Sequence, residues 1–550
     1  METKSCQNCK SQFVIEPDDF EFYKRLGIPP SVHCPRCRLQ HLFAFWIFGH
    51  FRKTKSALNG KTLITTFSET VPFPLYDREE WISDAWDPME YGQSYDDTRS
   101  FFEQFKELQA KVPHPHQSGV NNVNCQWSDD VWDSRECYLC RSLIECEFIS
   151  YGYRTLRCKN SIDLTYCFDT ELSYDCLYCF KCYKVQHAIN SRDCIDSAFL
   201  YDCRNVQNCF MCWNLRNKQY HILNQPYSKE EYFKKLKEFD LHSYGAREKL
   251  KKEFQEIIAT RAVHRESFTT NAVRSTGNFL ADCKNCSTCA FLERSENCRY
   301  VWRGHETKDS IDAVGTAYNE KIGCSTTVLG SYEGVGLLNV TRCRYSFYLE
   351  NCEECEYCFG CVGLRKKKFC IFNKQYSEEE YNVLLKKIKQ NMEMKKEWGK
   401  FFPMSFAHSG YNLSLANILF PETRENIEKR GGLWNEETES SQEGISGNDL
   451  PDRIDDADDA IPGKAIVCPM TKRRFSIAPH ELKFYREQGI PLPHLHPDER
   501  TITRFKLLAQ SIIPVAGTCH FCNKQITHYY PPELGYSNIA CIECYQREVI

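Results

Sequence analysis

The stretch CRNVQNCFMCWNLRNKQYHILNQPYSKEEY, residues 203–232, recurs later in the chain as CEECEYCFGCVGLRKKKFCIFNKQYSEEEY, residues 352–381. The two copies align without a gap at an offset of 149 residues. The cysteines that correspond at this offset are Cys194, Cys203, Cys209 and Cys212 in the first copy and Cys343, Cys352, Cys358 and Cys361 in the second. A repeat of this length predicts two copies of one structural module.

Cysteine spacing gives the first indication of how each module folds. In the first copy every gap between cysteines is a multiple of three, and from Cys125 to Cys179 the main series alternates gaps of 12 and 9 residues. This regularity predicts a β-solenoid with coils of about 21 residues, built from short strands and turns. Equivalent cysteines would stack inside it, because cysteine is small, apolar and readily buried. A string of zinc knuckles built from the CxxC steps is the alternative.

Two further cysteine groups have the spacing of four-cysteine zinc sites. Each CxxC turn can place two thiolates on one ion, and two such turns complete a tetrahedron. The predicted ligands are Cys6, Cys9, Cys34 and Cys37 near the start, and Cys519, Cys522, Cys541 and Cys544 near the end. Four sulfur ligands leave no open position for a substrate, so the prediction is two structural zinc ions.

A third stretch repeats the frame of the first zinc site without its ligands. Residues 468–500 align with residues 6–38 at an offset of 462. The recurring residues are Phe475, Ile477, Pro479, Phe484, Tyr485, Gly489, Ile490, Pro491 and Arg500. The four ligand positions instead hold Cys468, Thr471, His496 and Glu499. Because threonine is a poor zinc ligand, the sequence predicts a ribbon held by its own small core or by the neighbouring C-terminal ribbon.

The N-terminal element resembles a probable zinc-ribbon family whose signature combines CxxC, an acidic-x-x-FY-x-x-x-G stretch and P-x-x-C-x-x-CR. In this chain the matching stretches are Cys6 to Cys9, DFEFYKRLG and PPSVHCPRCR. This resemblance implies a small zinc-binding module, with no activity attached. Most of the chain also resembles a family of uncharacterised cysteine-rich proteins of uncultured, small-genome bacteria. That resemblance rests on both ribbons, the cysteine repeats, and two motifs that comprise Trp81, Asp84, Trp86, Asp87, Tyr411, Asn412 and Ala416. It implies the architecture alone.

Composition narrows the class of protein. The chain has 550 residues, 33 cysteines and a net charge of -4. A near-neutral charge argues against binding polyanions through bulk electrostatics, although local basic patches remain compatible with it. The odd number of cysteines and the polar start without an apolar signal segment favour reduced thiols and a cytoplasmic location.

The predicted fold is multidomain and mainly β with helical connectors, in which terminal zinc ribbons flank two duplicated cysteine-rich β-solenoid-like modules. The predicted domains are a zinc ribbon (1–60), an α+β connector (61–120), repeat module 1 (121–227), a helical connector (228–265), repeat module 2 (266–376), a helix and aromatic segment (377–434), an acidic disordered linker (435–460), a degenerate ribbon without metal ligands (461–510) and a C-terminal zinc ribbon (511–550).

No nucleotide-binding or hydrolase motif is found; the glycine-rich stretch at 330–336 lacks the lysine of a phosphate-binding loop. The sequence therefore favours a non-enzymatic zinc-binding scaffold or adaptor that docks on nucleic acid or a ribonucleoprotein machine, with a protein partner equally open. The alternatives are a metal or thiol reservoir with many zinc sites and an enzyme of unrecognised type. The basic residues considered for phosphate contacts, with solvated surface as the other interpretation, are Arg36, Arg38, Arg365, Lys366, Lys367 and Lys368. The sequence does not identify the partner or the oligomeric state.

Overall fold

The computed structural model describes residues 1–436, 443–508 and 514–550. Residues 437–442 of the predicted acidic linker, and residues 509–513 at the junction of the last two predicted ribbons, lie outside the described part. The described chain is mainly β and contains two large mixed sheets of 11 strands each. Among the described residues, no helix combines the length and the apolar character needed to cross a membrane.

The helices are short except for α6 and α7. Their bounds are α1 (Pro17–Leu26), α2 (Pro35–Phe43), α3 (Arg78–Ile82), α4 (Phe101–Lys111), α5 (Lys229–Leu236), α6 (Tyr244–Thr260), α7 (Glu378–Met394), α8 (Leu415–Leu419), α9 (Arg424–Lys429), α10 (Pro479–Gln488), α11 (Pro497–Leu507) and α12 (Ile542–Val549). Single 3-10 turns cover Pro88–Tyr91, Met404–Phe406, Tyr411–Leu413, Gly447–Asp449, Ile454–Asp456 and Pro532–Leu534.

The strands up to the end of the first large sheet are β1 (Glu2–Ser5), β2 (Gln12–Ile15), β3 (Arg52–Lys55), β4 (Thr62–Thr65), β5 (Leu75–Tyr76), β6 (His114–Pro115), β7 (Asp129–Trp132), β8 (Arg141–Ile144), β9 (Glu147–Ser150), β10 (Tyr153–Leu156), β11 (Lys159–Thr165), β12 (Tyr174–Leu177), β13 (Tyr183–Ile189), β14 (Ile195–Tyr201), β15 (Arg204–Trp213), β16 (Arg216–Ile222) and β17 (Gln225–Pro226).

The remaining strands are β18 (His264–Arg265), β19 (Thr269–Thr270), β20 (Gly277–Ala281), β21 (Cys289–Glu293), β22 (Glu296–His305), β23 (Lys308–Ala317), β24 (Glu320–Leu329), β25 (Tyr332–Thr341), β26 (Arg344–Glu350), β27 (Glu356–Phe359), β28 (Lys368–Ile371), β29 (Lys374–Gln375), β30 (Ile445–Ser446), β31 (Ile466–Val467), β32 (Arg474–Phe475), β33 (Val515–Thr518), β34 (Gln525–His528) and β35 (Ile539–Ala540). Strands β7–β17 form the first large sheet and β19–β29 the second.

The chain divides into two compact units that interleave along the sequence. Unit 1 comprises residues 1–117, 267–436 and 510–514, and unit 2 comprises residues 118–266, 437–509 and 515–550. Unit 1 therefore contains the second sheet, and unit 2 contains the first. This grouping differs from the linear series of domains expected from the sequence, because the segment that precedes each sheet in the chain packs within the other unit.

Both large sheets are built by pairing strands at a fixed step. Successive strands pair in parallel except at the last pair of each sheet, and β9 pairs with β11 beside the main path. Partner residues are separated by twelve positions in the sequence along most of each strand, as in Tyr183 with Ile195 and Glu320 with Tyr332. The coil length expected from the cysteine spacing is therefore wrong, because the strands pair at a shorter step than the one predicted.

A backbone feature explains why cysteines recur in multiples of three. Every third residue from Asn121 to Leu223 has a positive φ. This conformation is unfavourable for β-branched side chains and least costly for Asn and Asp, and none of these positions holds Val, Ile or Thr. From Trp127 to Met211 the residue that follows each such position is buried, as Cys203 is after Asp202. The chain thus bends every three residues and buries one side chain per step.

The buried thiols of the sheets face backbone carbonyl groups. The Sγ atom of Cys158 lies 3.4 Å from the carbonyl oxygen of Leu156 and 3.4 Å from that of Cys167. Cys203 repeats the arrangement with Tyr201 and Cys212, at 3.5 Å in both contacts. A thiol of the sheets therefore faces both the carbonyl group two residues before it and the one nine residues ahead, and the residue nine ahead need not be a cysteine, as Cys176 with Val185 shows. The S–H group acts as a weak donor that partly satisfies the buried carbonyls.

Each large sheet ends on an asparagine that substitutes for a further strand. The side chain of Asn224 accepts a hydrogen bond from the Trp213 amide at 3.0 Å and donates one to the Trp213 carbonyl at 2.9 Å. Asn373 makes the same pair of bonds with Val362, at 2.9 and 2.8 Å. These bonds satisfy the backbone amide and carbonyl groups of Trp213 and Val362.

The helix that follows each sheet begins where the sequence predicts. Ser228 and Glu231 form a capping box at the start of α5, and Ser377 and Glu380 form one at the start of α7. Each box satisfies two amide groups at the helix N-terminus. This prediction is confirmed in both copies.

The acidic segment differs from expectation over its described part. Residues 435–460 were expected to be disordered, yet the structure places strand β30 there, and Leu450, Ile454 and Ala457 are buried in a core of unit 2. The reason is that these apolar residues are spaced among the acidic ones, so that one side of the segment can be buried. The acidic composition of the segment did not predict that it has an apolar side that can be buried.

Candidate metal centres

The first predicted ligand set comes together beside the β1–β2 hairpin. Its turn carries Cys6 and Cys9, while Cys34 and Cys37 lie at the start of α2, and the four ligand atoms lie within 4.8 Å of one another. The Sγ atoms of Cys9 and Cys34 are 3.7 Å apart. A tetrahedral zinc ion with Zn–S bonds of about 2.3 Å requires sulfur separations of about 3.8 Å. The hairpin and helix are thus already spaced for an ion.

The second predicted set has the same construction in unit 2. Cys519 and Cys522 lie on the turn of the β33–β34 hairpin, and Cys541 and Cys544 lie at the start of α12. The sulfur atoms of Cys522 and Cys541 are 3.8 Å apart. The Cys541 amide points at the Cys519 sulfur from 3.3 Å, as the Cys34 amide points at Cys6 in the first set. Such amide contacts stabilise a thiolate.

The same hairpin turn occurs four times in the described chain. The N-terminal ribbon (2–43), an inner ribbon (52–82), the degenerate ribbon (466–507) and the C-terminal ribbon (515–549) each contain it. In each turn one amide bonds back to the first ligand position, and the donor has a positive φ. The donors are Lys10, Gly60, Lys472 and Asn523, and the acceptors are Cys6, Ser56, Cys468 and Cys519, at 2.9 to 3.0 Å.

The sequence did not reveal the inner ribbon, and the domain boundary predicted after residue 60 falls inside its β3–β4 hairpin. Its ligand positions hold Ser56, Asn59, Asp77 and Glu80. Ser56 donates to the Glu80 carboxylate at 3.4 Å, and the Asn59 side chain donates to the same group. Hydrogen bonds here occupy the place where thiolates would bind an ion. The only sequence signal was the hairpin pattern TKSALNGKTL, without any cysteine.

The degenerate ribbon also lacks a gathered ligand set. Within the described residues Cys468, His496 and Glu499 do not lie close enough together to form one. The His496 ring instead accepts the Asp498 amide at 3.1 Å and so caps α11, in the position that Cys34 has before α2. The retained Gly27 and Gly489 end α1 and α10 with φ of 64° and 61°. The frame is thus kept without its metal ligands.

In unit 1 the N-terminal ribbon packs on the second sheet through buried charges. Arg38 pairs with Asp312, and its guanidinium lies 4.5 Å from the centre of the Tyr300 ring. Tyr300 in turn donates to the Asp19 carboxylate at 3.2 Å, and Tyr23 donates to Asp312 at 3.4 Å. Burial raises the pKa of Asp312, and the charge of Arg38 offsets part of that rise.

In unit 2 the degenerate ribbon makes the matching contacts on the first sheet. Arg500 lies 2.8 Å from Asp163 and 4.8 Å from the centre of the Tyr151 ring, and Tyr151 donates to Glu481 at 2.9 Å. These residues correspond to those of unit 1 at offsets of 462 for the ribbon and 149 for the sheet. The second copy of the ribbon has therefore kept the residues that contact the sheet.

The inner ribbon of unit 1 and the C-terminal ribbon of unit 2 also occupy equivalent positions in the structure. Strand β5 of the inner ribbon pairs in parallel with β6, and β35 of the C-terminal ribbon pairs in parallel with β18. The amide of His114 donates to Pro74 at 2.8 Å, and that of His264 donates to Asn538 at 2.9 Å. Each unit thus combines one four-cysteine ribbon with one ribbon that lacks the ligands. In unit 1 the four cysteines lie in the ribbon that packs on the sheet, and in unit 2 they lie in the other ribbon.

A third group with possible metal ligands lies in unit 1 and was missed by the sequence reasoning. It consists of His114, Glu350 and His408, which are 0%, 0% and 4% exposed. Burial alone would raise the pKa of Glu350, but the two histidines, through charge and hydrogen bonds, lower it to about 2. These residues are far apart in sequence and have no ligand-like spacing, so no local pattern could find them.

The sheet cysteines do not form further four-sulfur groups within the described residues. No family model matches the chain, and a search of curated proteins gives no significant match.

Proposed function

We propose that this protein is a non-enzymatic zinc-binding scaffold, in which two β-solenoid-like modules each carry one zinc ribbon. The observation that carries the proposal is the pair of four-cysteine groups with sulfur separations of 3.7 and 3.8 Å. Four thiolate ligands suit zinc and fill its tetrahedral coordination, so that such an ion stabilises a fold and leaves no position for a substrate.

The solenoid part of the proposal is supported by the repeating step within each sheet. Partner residues keep a constant separation in sequence, and one side chain is buried at every third residue. Both features fit a coil that returns above itself after four short segments. Such modules offer long and regular surfaces, which repeat proteins use for binding.

Metal content tests the scaffold against the reservoir. The scaffold predicts two sulfur-bound zinc ions per chain, whereas a reservoir would hold six or more by recruiting the sheet cysteines. The contacts of those cysteines favour the scaffold, because thiols such as Cys158 and Cys203 are 0% exposed and already face carbonyl groups. Elemental analysis combined with X-ray absorption at the zinc edge distinguishes the two, and six or more sulfur-bound ions would overturn the scaffold.

The partner of the scaffold is proposed to be a protein or a nucleic acid, and the contacts of the basic residues bear on the choice. Arg38 is paired with Asp312 inside unit 1, Arg365 donates to the Ser83 carbonyl at 2.8 Å, and Lys368 lies 2.5 Å from Glu356. These three side chains have partners within the protein, which weakens the case for phosphate binding. Affinity purification from the native host at low and high salt tests this point, since bound nucleic acid should be lost at high salt.

A further inference from the structure

The His114, Glu350 and His408 group has a hydrogen-bonding pattern that calls for a cation. Nδ1 of His114 lies 2.9 Å from the Val112 carbonyl oxygen, and its Nε2 lies 2.9 Å from Oε1 of Glu350. A carbonyl oxygen only accepts hydrogen bonds, so Nδ1 carries the proton. A neutral His114 would then direct the lone pair of Nε2 at a carboxylate, which is repulsive. Either a second proton on the ring or a metal ion between the two atoms removes this repulsion.

A second histidine converges on the same oxygen atom. Nε2 of His408 lies 2.5 Å from Oε1 of Glu350. Gln109 donates to the other carboxylate oxygen at 2.9 Å and to the Phe406 carbonyl at 3.2 Å, which fixes the orientation of the carboxylate. Phe73 stacks on His114 with ring centres 3.7 Å apart. Metal-binding histidines and carboxylates are typically oriented by such outer contacts.

We propose that His114, Glu350 and His408 form a metal site in unit 1 that takes a divalent transition-metal ion such as zinc. Two imidazole nitrogens and one carboxylate oxygen are a ligand set that zinc accepts. Bonds of about 2.0 Å in tetrahedral geometry need ligand separations of about 3.3 Å. The present separations of 2.9 and 2.5 Å would therefore open by less than 1 Å. An ion at this depth would join three distant segments of the chain.

Unit 2 contains the same framework without the ligand set. His264 corresponds to His114 through its pairing with the adjacent ribbon, and Tyr201 takes the place of Glu350 at the offset of 149. The His264 ring lies 2.6 Å from the Tyr201 hydroxyl and 2.9 Å from the Ile258 carbonyl oxygen. A neutral histidine satisfies both contacts, because the hydroxyl can donate to one nitrogen while the other donates to the carbonyl. The packing role of the histidine therefore needs no carboxylate, and the triad of unit 1 requires a separate explanation.

The test uses the full-length protein produced in zinc-poor, cobalt-supplemented medium. Three Co²⁺ ions per chain are expected, two with thiolate-to-cobalt charge-transfer bands and a third that shows only ligand-field bands. Glu350→Tyr, which copies the residue of unit 2, and His408→Gln should each lose one ion per chain and leave the charge-transfer intensity unchanged. His305→Gln is the control, because His305 also lies beside glutamates, at 3.4 and 3.6 Å, but outside the site.

A count of two Co²⁺ ions per chain in the unsubstituted protein would overturn the proposal. The triad would then be held together by a shared proton instead of a metal ion. A third ion that persists in Glu350→Tyr and His408→Gln would overturn it as well. Because the count in the unsubstituted protein is decisive by itself, poor folding of a variant does not rescue the proposal. The two four-cysteine sites are monitored separately through their charge-transfer bands, so failure of this inference leaves the scaffold proposal intact.

Discussion

Units 1 and 2 differ in where they keep their cysteine ligands. In unit 1 the ribbon that packs on the sheet has four cysteines and the inner ribbon has none of them, whereas in unit 2 the packed ribbon has lost its ligand set and the C-terminal ribbon has four. The hairpin turn is the same in all four ribbons. The comparison teaches that the ribbon frame and its four cysteine ligands are separable, because contacts with a sheet can replace what a bound ion would contribute to a small domain.

The largest expected effect compares two equivalent cysteines. Cys6 and Cys468 occupy the same turn position and are both 0% exposed. Cys6→Ser should release one zinc ion and unfold the N-terminal ribbon, because zinc linkage is worth about 10 kcal/mol in such domains. Cys468→Ser should cost about 1 kcal/mol and leave the metal content unchanged. Elemental analysis and hydrogen exchange measure both, and zinc loss from Cys468→Ser would show that the degenerate ribbon binds metal after all.

The next effect concerns the buried arginines that hold the packed ribbons. Arg38→Met leaves the buried Asp312 without its ionic partner, at an expected cost of about 3–5 kcal/mol, whereas Arg500→Met should cost less because Arg504 still lies 2.9 Å from Asp163. The first variant should keep its zinc, because the metal holds the N-terminal ribbon independently of the sheet. The second should increase hydrogen exchange in the degenerate ribbon, which has no gathered ligand set to hold it. Loss of zinc from Arg38→Met would contradict the separation of frame and metal.

A smaller effect is the pH dependence that Glu481 contributes to unit 2. Burial raises the pKa of Glu481 to about 7, against hydrogen bonds from Tyr151 and the Ala478 amide that lower it. A carboxyl whose folded pKa exceeds its unfolded value stabilises the fold fully below the unfolded pKa, near 4.5, and loses this contribution as the pH rises through 7. The contribution of Glu481 to the free energy of unfolding of unit 2 should therefore fall by about 3 kcal/mol between pH 4.5 and pH 7.

The control for this prediction is Glu481→Gln, which should remove the contribution of Glu481 to the pH dependence between pH 4.5 and pH 7. In unit 1 the equivalent Asp19 lies 2.5 Å from Arg299. Asp19→Asn should therefore destabilise unit 1 at neutral pH, because it breaks an ion pair. Glu481→Gln, by contrast, should not destabilise unit 2 at neutral pH. Chemical denaturation at several pH values, followed by hydrogen exchange of peptides from each unit, measures both variants. An unchanged pH profile in Glu481→Gln would rule out this carboxyl as the source.

The smallest effect distinguishes the two asparagines that end the sheets. Asn373 is 0% exposed and donates a further hydrogen bond to the Pro88 carbonyl at 3.0 Å, whereas Asn224 is half-buried. Asn373→Ala should cost about 2–3 kcal/mol and Asn224→Ala about 1 kcal/mol, because the unsatisfied groups are more deeply buried in the first case. Thermal and chemical denaturation give the two values. Equal costs would show that the extra bond and the burial are immaterial.

Local patterns determined much of this protein from the sequence alone. The duplication at an offset of 149, the eight ribbon cysteines and the capping boxes follow from residues whose roles depend on near neighbours. The spacing of cysteines in multiples of three was also visible, because a positive φ at every third residue restricts which side chains can occur. These features share a physical cause, since each is fixed within a few residues of the chain.

Only the tertiary structure decided the rest. The step between paired strands depends on which strands pair, and only one of the two cysteine gaps, that of 12 residues, equals this step. The inner ribbon has no cysteine at its ligand positions, and only the hairpin pattern TKSALNGKTL marks it in the sequence. The triad of His114, Glu350 and His408 draws on three distant segments. Long-range packing brings such groups together, and no local spacing encodes it.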